Sequence, residues 1–268
     1  MARARFRLKA GPLVSAFKPS RRSLLLSGLA GLATSAQAQA FGDVGAFNPR
    51  IVVAGGKRLQ APRLTAPSAW SMELMSRTSA PARLVPKEVS LDRPELCSEP
   101  FAVWAGSSDI GGLSVAERRG LAKFIRLGGV LVVDDSEPQN GAFGRSVRRE
   151  LQRILPESPP VRLDPSHVLY KTFYIVDRPV GRVLGSPTID AIVRGKNAQV
   201  LLLNHDLLGA LAREGDGTYS LPTEPTSYQQ RQHAIRFAVN IAMYVLCSDY
   251  KDDQVHAPFL MRRRAQAR

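Results

Sequence analysis

Short apolar segments alternate with amphipathic ones along most of the chain, and they predict alternating strands and helices. Runs rich in β-branched or aromatic residues are typical of buried strands. These predicted strands cover residues 50–54, 83–89, 101–105, 130–133, 170–176 and 199–204. Apolar residues at helical spacing predict helices over residues 67–79, 142–155, 206–213 and 228–246, and a further helix from Ser114 to two glycines at 128 and 129.

The helix that begins at Ser114 has the clearest local signals. Ser114 and Glu117 have the spacing of a capping box, in which each side chain bonds the other residue's backbone N–H. Gly128-Gly129 predicts a left-handed stop, and the apolar run 130–133 predicts a parallel strand covered on both faces. The residues expected on the buried faces of this helix and of the helix over 67–79 are Trp70, Leu74, Met75, Val115, Leu121, Phe124 and Ile125.

The alternation of strands and helices, without an internal repeat, predicts the fold class. We expect an α/β protein with a three-layer α/β/α sandwich and a mostly parallel sheet, of flavodoxin-like or class I glutamine-amidotransferase-like type. Residues 41–264 are expected to form one domain, followed by a disordered basic tail over 265–268. In such sheets ligands bind outside the carboxyl ends of the strands.

The net charge of +14 is concentrated near the two ends of the chain. The first 40 residues hold seven basic side chains and no acidic one, and residues 262–268 hold four more, so the body carries about +3. Nucleic-acid binding requires several cations along one surface. The distribution therefore argues against a nucleic-acid partner.

The first 40 residues have the pattern of an export signal. A basic region leads to Ser20-Arg21-Arg22-Ser23 and an apolar run, which ends near small-residue cleavage sites after Ala38 or Ala40. The arginine pair predicts the twin-arginine pathway and a periplasmic location. The alternative is an uncleaved anchor, but the apolar run of about 14 residues is shorter than the roughly 20 that span a bilayer. No membrane span is expected after cleavage.

Two cysteines, Cys97 and Cys247, leave two possibilities open. An oxidising compartment would permit a disulfide between them. Two buried, unreactive thiols are the alternative that we favour.

Several segments resemble known families. The unit from Phe101 to Asp135 resembles the strand–helix–Gly-Gly–strand unit of class I glutamine-amidotransferase-like domains, including trehalose-utilisation-type proteins. Downstream motifs resemble the domain-of-unknown-function 4159 family: His167-Val-Leu-Tyr170, Phe173-Tyr174, Pro179-Val-Gly-Arg182, Asn204-His205-Asp206, Gln230-Arg231, Asn240 with Tyr244, and Tyr250 to Pro258. The resemblance implies an amidotransferase-like fold without an established activity, in bacteria where such proteins are often encoded beside MoxR-type ATPases and von Willebrand-type membrane proteins.

Catalysis by a nucleophile is not supported by the sequence. A glutamine amidotransferase needs an activated cysteine on a tight strand-to-helix turn, and neither cysteine follows a predicted strand in that way. No Gly-x-Ser-x-Gly elbow provides a serine. Ligand-type residues occur without a diagnostic metal spacing, so no catalytic residue, metal or cofactor is predicted.

Polar residues after the predicted strands form a candidate ligand site. The set is Asp134, Asp135, His167, Tyr170, Asn204, His205, Asp206, Lys251, Asp253 and His256. Each has a structural alternative. Asp134 or Asp135 could cap the next element while the other faces solvent, and Asp206 could cap a short helix while His205 packs. Residues 250–256 could form a solvated connection after the long helix.

Together these features predict an exported, non-catalytic α/β domain that binds a partner protein or a small envelope ligand, within a MoxR-associated envelope assembly. The alternative is a hydrolase that acts on a carbohydrate or peptidoglycan-related substrate, with Asp134 or Asp135 as general base.

Overall fold

The chain folds into a seven-stranded sheet with helices on both faces. The computed structural model describes residues 45–266, with side chains up to residue 248. The strands are β1 (Arg50–Val53), β2 (Glu88–Ser90), β3 (Phe101–Gly106), β4 (Val130–Asp135), β5 (Val161–Arg162), β6 (Asp190–Arg194) and β7 (Asn197–Leu203). The α-helices are α1 (Ala66–Thr78), α2 (Val115–Arg126), α3 (Ala142–Ile154), α4 (Leu207–Leu211) and α5 (Tyr228–Gln266), and 3-10 helices cover Arg63–Thr65, Pro94–Ser98 and Val168–Lys171. The predicted signal peptide lies outside the described residues.

The sheet is mostly parallel, as predicted. Its strand order is β2-β1-β3-β4-β7-β6-β5. The first five strands in this order run parallel, whereas β6 and β5 are antiparallel to their neighbours. The chain passes from β1 to β2 on one side and then returns to place β3 on the other side. The loops after β1 and β3 therefore diverge, and in open α/β sheets such a point is where a ligand crevice forms.

Two apolar layers cover the sheet and confirm the three-layer architecture. One face of the sheet packs against α1, α4 and α5, and the other packs against α2 and α3. The indole N–H of Trp70 donates to the carbonyl of Ala238 over 2.8 Å and so joins α1 to α5. All six residues of β4 are buried, because helices cover this central strand on both sides.

The predicted signals around α2 are present. The backbone N–H of Glu117 donates to Ser114 Oγ over 3.2 Å, and the backbone N–H of Ser114 donates to Glu117 Oε2 over 2.8 Å. Gly128 has φ of +98°, which confirms the left-handed stop. A Cβ at Gly129 would lie 2.4 Å from the ring of Phe124, so the second glycine permits a close approach.

The predicted strand over residues 170–176 is wrong. These residues form the end of a 3-10 helix and an irregular segment. The backbone N–H groups of Phe173 and Tyr174 donate to Asn240 Oδ1 over 3.3 and 2.7 Å, and Asn240 Nδ2 donates to the Tyr174 carbonyl over 2.8 Å. A buried side chain on α5 thus provides the partners that a neighbouring strand would have provided.

Other boundaries also differ from the prediction. Strands β5 and β6 were not predicted, and the strand expected over 83–89 is reduced to β2.

Met75 and Val115 are exposed by 41% and 61%, although both were expected to be buried. Val115 is the first residue of α2, and the buried residues of this helix lie in its second half. Helix α5 continues past residue 246 to Gln266, so residues 250–256 are helical rather than a connection.

The two cysteines are not bridged. Both thiols are free, with Cys97 partly buried and Cys247 exposed. The expectation of a buried thiol is therefore wrong for Cys247. Among the described residues, we find no helix whose length and apolar character would allow it to cross a bilayer.

Candidate functional site

Asp134 lies at the carboxyl end of β4 and caps α4, the short helix that follows the neighbouring strand β7. Its Oδ1 accepts the backbone N–H of Leu207 over 2.9 Å, and its Oδ2 accepts that of Leu208 over 2.8 Å. The side chain has no solvent exposure. The pKa of Asp134 is raised to about 8, mainly by burial and also by the negative charge of Asp206. The two N–H donors and Arg63 lower this pKa, but they do not outweigh burial.

Asp135 points to the opposite face of the sheet, as adjacent strand residues must. Its Oδ1 accepts the backbone N–H of Glu137 over 3.0 Å, and its Oδ2 accepts that of Gly144 over 2.9 Å in the first turn of α3. Burial raises the pKa of this carboxyl as well. Both aspartates therefore cap backbone segments, and neither faces solvent.

Asp206 is the centre of a buried ion-pair network. Its Oδ1 accepts Nε of Arg63 over 2.7 Å and the backbone N–H of Gly209 over 3.0 Å. Its Oδ2 accepts Nη2 of Arg63 over 2.7 Å and also bonds Nε of Arg182. Nη1 of Arg182 continues the network to Glu224. The predicted cap at Asp206 is confirmed, and two arginines that were not among the predicted site residues neutralise it.

His205 packs inside the protein. Its ring has no exposure, Nε2 lies 2.7 Å from the carbonyl oxygen of Ser186, and Nδ1 accepts the backbone N–H of Asn204 over 3.3 Å. Burial lowers the pKa of His205 to about 4, so the ring is neutral at physiological pH. Asn204 is exposed and lines a shallow cleft of about 190 Å³ with Asp135.

His167 and Tyr170 lie away from the strand-end aspartates. His167 Nδ1 accepts the N–H of Leu169 over 3.2 Å, and its ring is 5.9 Å from that of Tyr244. The Tyr244 hydroxyl bonds the N–H of Ala198 at the beginning of β7, which is the opposite edge of the sheet from Asp134. Tyr170 is buried and stacks on Phe237.

The predicted constellation is therefore only partly brought together. Asp134, Asp135, His205 and Asp206 lie near the carboxyl edge, whereas His167 and Tyr170 do not. Lys251, Asp253 and His256 belong to α5, and their side chains lie outside the described part of the structure. Their contribution to a site stays a prediction.

A larger cleft lies where the loops after β1 and β3 diverge. It has a volume of about 380 Å³ and lies beside, rather than on, the predicted residues. Its lining comprises Gly56, Lys57, Arg58, Leu59, Gln60, Arg63, Trp104, Ala105, Gly106, Ser107, Ser108, Ile110, Ser136 and Phe143. We call it the β1–β3 cleft. The sequence contains only a modest signal for this cleft. Gly56 and Lys57 follow β1, and Gly106, Ser107 and Ser108 stand at the end of β3.

A tight turn fixes the position of Lys57 at this cleft. Ala54 and Lys57 exchange backbone hydrogen bonds of 3.0 and 3.3 Å, while Gly55 and Gly56 have φ of +56° and +70°. Two successive positive φ angles favour glycine strongly. The N–H of Gly55 also donates to Glu117 Oε1 over 2.7 Å, which anchors the turn to the cap of α2.

The β1–β3 cleft offers cations and neutral hydrogen-bonding groups. Its lining has three basic side chains, three serines and one glutamine, but no aspartate, glutamate, histidine or cysteine. In the part of the chain that the structure describes, no cluster of three or more such residues could hold a metal ion. The cleft is thus suited to binding an anion.

The domain is therefore an open α/β domain with a cleft at the switch point of its sheet, where ligands bind in such folds. The chain belongs to the family described as domain of unknown function (DUF4159), whose family model matches residues 51–246. No curated protein matches the chain.

The motifs that carry this family resemblance mostly hold α5 in place. Gln230 Nε2 donates to the carbonyls of Gly181 and Arg182 over 3.3 and 2.8 Å. Arg231 Nη1 donates to the carbonyl of Ala210 over 2.6 Å at the end of α4. These buried polar side chains satisfy carbonyls that the loops would otherwise leave unpaired.

Proposed function

We propose that the protein is an exported, non-catalytic domain that binds a small envelope ligand in the β1–β3 cleft. The observation that carries the proposal is the cleft itself: about 380 Å³ at the switch point of the sheet, with basic and hydroxyl side chains around an apolar floor. Ligand sites of α/β proteins favour this position.

The lining contains no aspartate, glutamate, histidine or cysteine, which supports binding without catalysis. General acid–base catalysis requires a titratable group within hydrogen-bond reach of the reacting atoms. Asp134 and Asp135 use both carboxylate oxygens to accept backbone N–H groups. The hydrolase alternative therefore has less support, because Asp134 or Asp135 would have to give up these bonds to act as a general base.

We infer that the domain shares the class I glutamine-amidotransferase-like fold but lacks the corresponding activity. The strand–helix–Gly-Gly–strand unit formed by β3, α2 and β4 supports the likeness of fold. Cys97 lies in the 3-10 helix before β3, and Cys247 lies on α5. Neither thiol lies at the carboxyl edge where a nucleophile would follow a strand.

Blocking the β1–β3 cleft tests the proposed function. Ser108→Trp places a large ring at an exposed lining position, and Ser166→Trp is a matched control at an exposed position elsewhere. Thermal shifts are measured with 3-phenylpropanoate, glucose 6-phosphate, glucosamine and choline. We expect at least one anion to raise the melting temperature of the parent and of the control but not of Ser108→Trp. Equal responses of all three proteins, or no response to any compound, would refute the site.

We propose export by the twin-arginine pathway on the basis of Ser20-Arg21-Arg22-Ser23. Replacing both Arg21 and Arg22 with lysine should leave the protein in the cytoplasm, as measured by fractionation. Replacement of Lys9 and Lys18 with arginine is the control and should leave export intact. Export that persists in a strain without the twin-arginine translocase would contradict the proposal.

A protein partner is the second candidate, in keeping with the predicted MoxR-associated envelope assembly. The observation that favours it is one short segment with exposed apolar side chains: Val168, Phe173 and Ile175 are exposed by 51%, 44% and 88%. Clustered apolar exposure is typical of interaction surfaces. Loss of co-purifying envelope proteins in Phe173→Ser with Ile175→Ser would support this candidate.

A further inference from the structure

We infer that the ligand of the β1–β3 cleft is a monocarboxylate with an apolar body, and that Lys57 binds its carboxylate. This inference rests on the proposed function and adds the chemical class of the ligand. It follows from the balance of charges around the cleft and from the side chains that form its floor.

Two of the three cations in the lining are already paired. Arg63 makes two hydrogen bonds to Asp206, each of 2.7 Å. Arg58 makes an ion pair with Glu88 on β2. Neither can bind an incoming anion at full strength without sharing or losing a carboxylate partner.

Lys57 differs because its ammonium group bonds only neutral oxygens among the described contacts. Nζ donates to Ser108 Oγ over 3.2 Å and to the backbone carbonyl of Asp109. The carboxylate of Asp109 is near but is bound by the guanidinium of Arg149. Lys57, Arg149 and Asp109 together leave one positive charge uncompensated, which matches a carboxylate rather than a phosphate dianion.

Neutral side chains in the lining can complete a site for one carboxylate. Ser108 Oγ lies 3.2 Å from Lys57 Nζ, and Ser107, Ser136 and Gln60, whose amide also donates to the Arg58 carbonyl over 3.1 Å, line the same cleft. Serine and glutamine donate hydrogen bonds without adding charge. They can therefore solvate the carboxylate while the ligand stays a monoanion.

The floor of the cleft favours an apolar ligand body. Trp104 and Phe143 pack edge to face with ring centroids 5.9 Å apart, and Leu59 and Ile110 extend the apolar surface. These four side chains are each no more than 5% exposed, so the apolar surface that they present to the cleft is narrow. An aryl or alkyl body would cover it, and burial of apolar area is favourable.

Isothermal titration with three matched compounds tests the inference: 3-phenylpropanoate, its neutral amide and 3-phenylpropyl phosphate. The carboxylate should bind at least tenfold more tightly than the amide, because a hydrogen bond to a charged group is worth about tenfold or more. Lys57→Met should abolish this preference, while Lys57→Arg should retain it. Lys123→Met, which removes a charge on the exposed side of α2, should bind like the parent.

Other results would overturn the inference. Tighter binding of the phosphate would mean that a second cation is available, and equal binding of the amide would mean that charge does not select the ligand. If none of the three compounds binds, the ligand class is wrong. The proposed function would still stand if another compound stabilised the parent but not Ser108→Trp, so the two failures are distinguishable.

Discussion

Replacement of Asp206 with alanine is expected to lower the free energy of unfolding by about 3–5 kcal/mol. The Asp206 carboxylate has no solvent exposure and bonds two guanidinium groups, those of Arg63 and Arg182, whose side chains are exposed by only 16% and 11%. Removing the carboxylate leaves two nearly buried cations without their shared partner. It also removes the side-chain cap of α4, because Asp206 Oδ1 accepts the N–H of Gly209. Urea denaturation of both proteins gives the difference.

Two further variants separate the buried pairs from surface charge. Glu224→Gln removes the outer carboxylate of the network, whose side chain is 53% exposed, and should cost less than about 1 kcal/mol. The combination of Arg63→Met, Asp206→Asn and Arg182→Met should recover much of the lost stability, because it removes both cations together with the charge that they share. Asparagine tolerates the left-handed φ of +50° at this position and can still accept the N–H of Gly209. A loss below 1 kcal/mol in Asp206→Ala would mean that water reaches the network.

The sequence predicts most of the parallel sheet because its strands have strong local signals. Strands β1, β3, β4 and β7 each contain three or more consecutive apolar residues, and the stop at Gly128 requires a backbone conformation that favours glycine. The antiparallel edge was missed because β5 has two residues and β6 gains its stability from pairing with β7. Such pairing is a tertiary property, which β propensity reflects poorly.

The candidate site was harder to predict because a carboxylate at the end of a strand can either bind a ligand or accept hydrogen bonds from groups within the protein. The sequence placed Asp134, Asp135 and Asp206 at the carboxyl edge correctly, but it could not show that backbone N–H groups and arginines already occupy their oxygens. Arg63 is 143 positions away from Asp206 in sequence, so no local spacing indicates the pair. The β1–β3 cleft depends on two loops that meet only after the strand order is known.

The pH dependence of stability provides a test of the buried Asp134 carboxyl. Its pKa is raised to about 8 in the folded protein, from an ordinary value of 3.8 that applies to the unfolded chain. Between these values the unfolded chain has released the proton and the folded protein still binds it, so the free energy of unfolding falls as pH rises. The expected loss is about 1.4 kcal/mol per pH unit within this window, and it ends above the folded-state pKa.

Comparison with Asp134→Asn isolates this carboxyl from the other titrating groups. Burial lowers the pKa of His205 from 6.5 to about 4 in the folded protein. Between these two values the unfolded chain binds a proton that the folded protein does not, so His205 makes the free energy of unfolding rise with pH. His205 is present in both proteins, so its contribution cancels. The asparagine side chain can accept only one of the two N–H groups, from Leu207 and Leu208, at a pH-independent cost of about 1–3 kcal/mol.

From pH 5 to pH 7.5 the parent should therefore lose stability relative to Asp134→Asn, by about 1.4 kcal/mol per unit, when both are denatured in urea at each pH. Burial and the neighbouring charge of Asp206 oppose ionisation, whereas the two backbone N–H donors and Arg63 favour it. A difference that does not change with pH would show that the donors outweigh burial and that Asp134 is ionised throughout this range. A parent stability that falls relative to that of Asp134→Asn as pH rises would show that the carboxyl keeps its proton and caps α4 as a neutral acid.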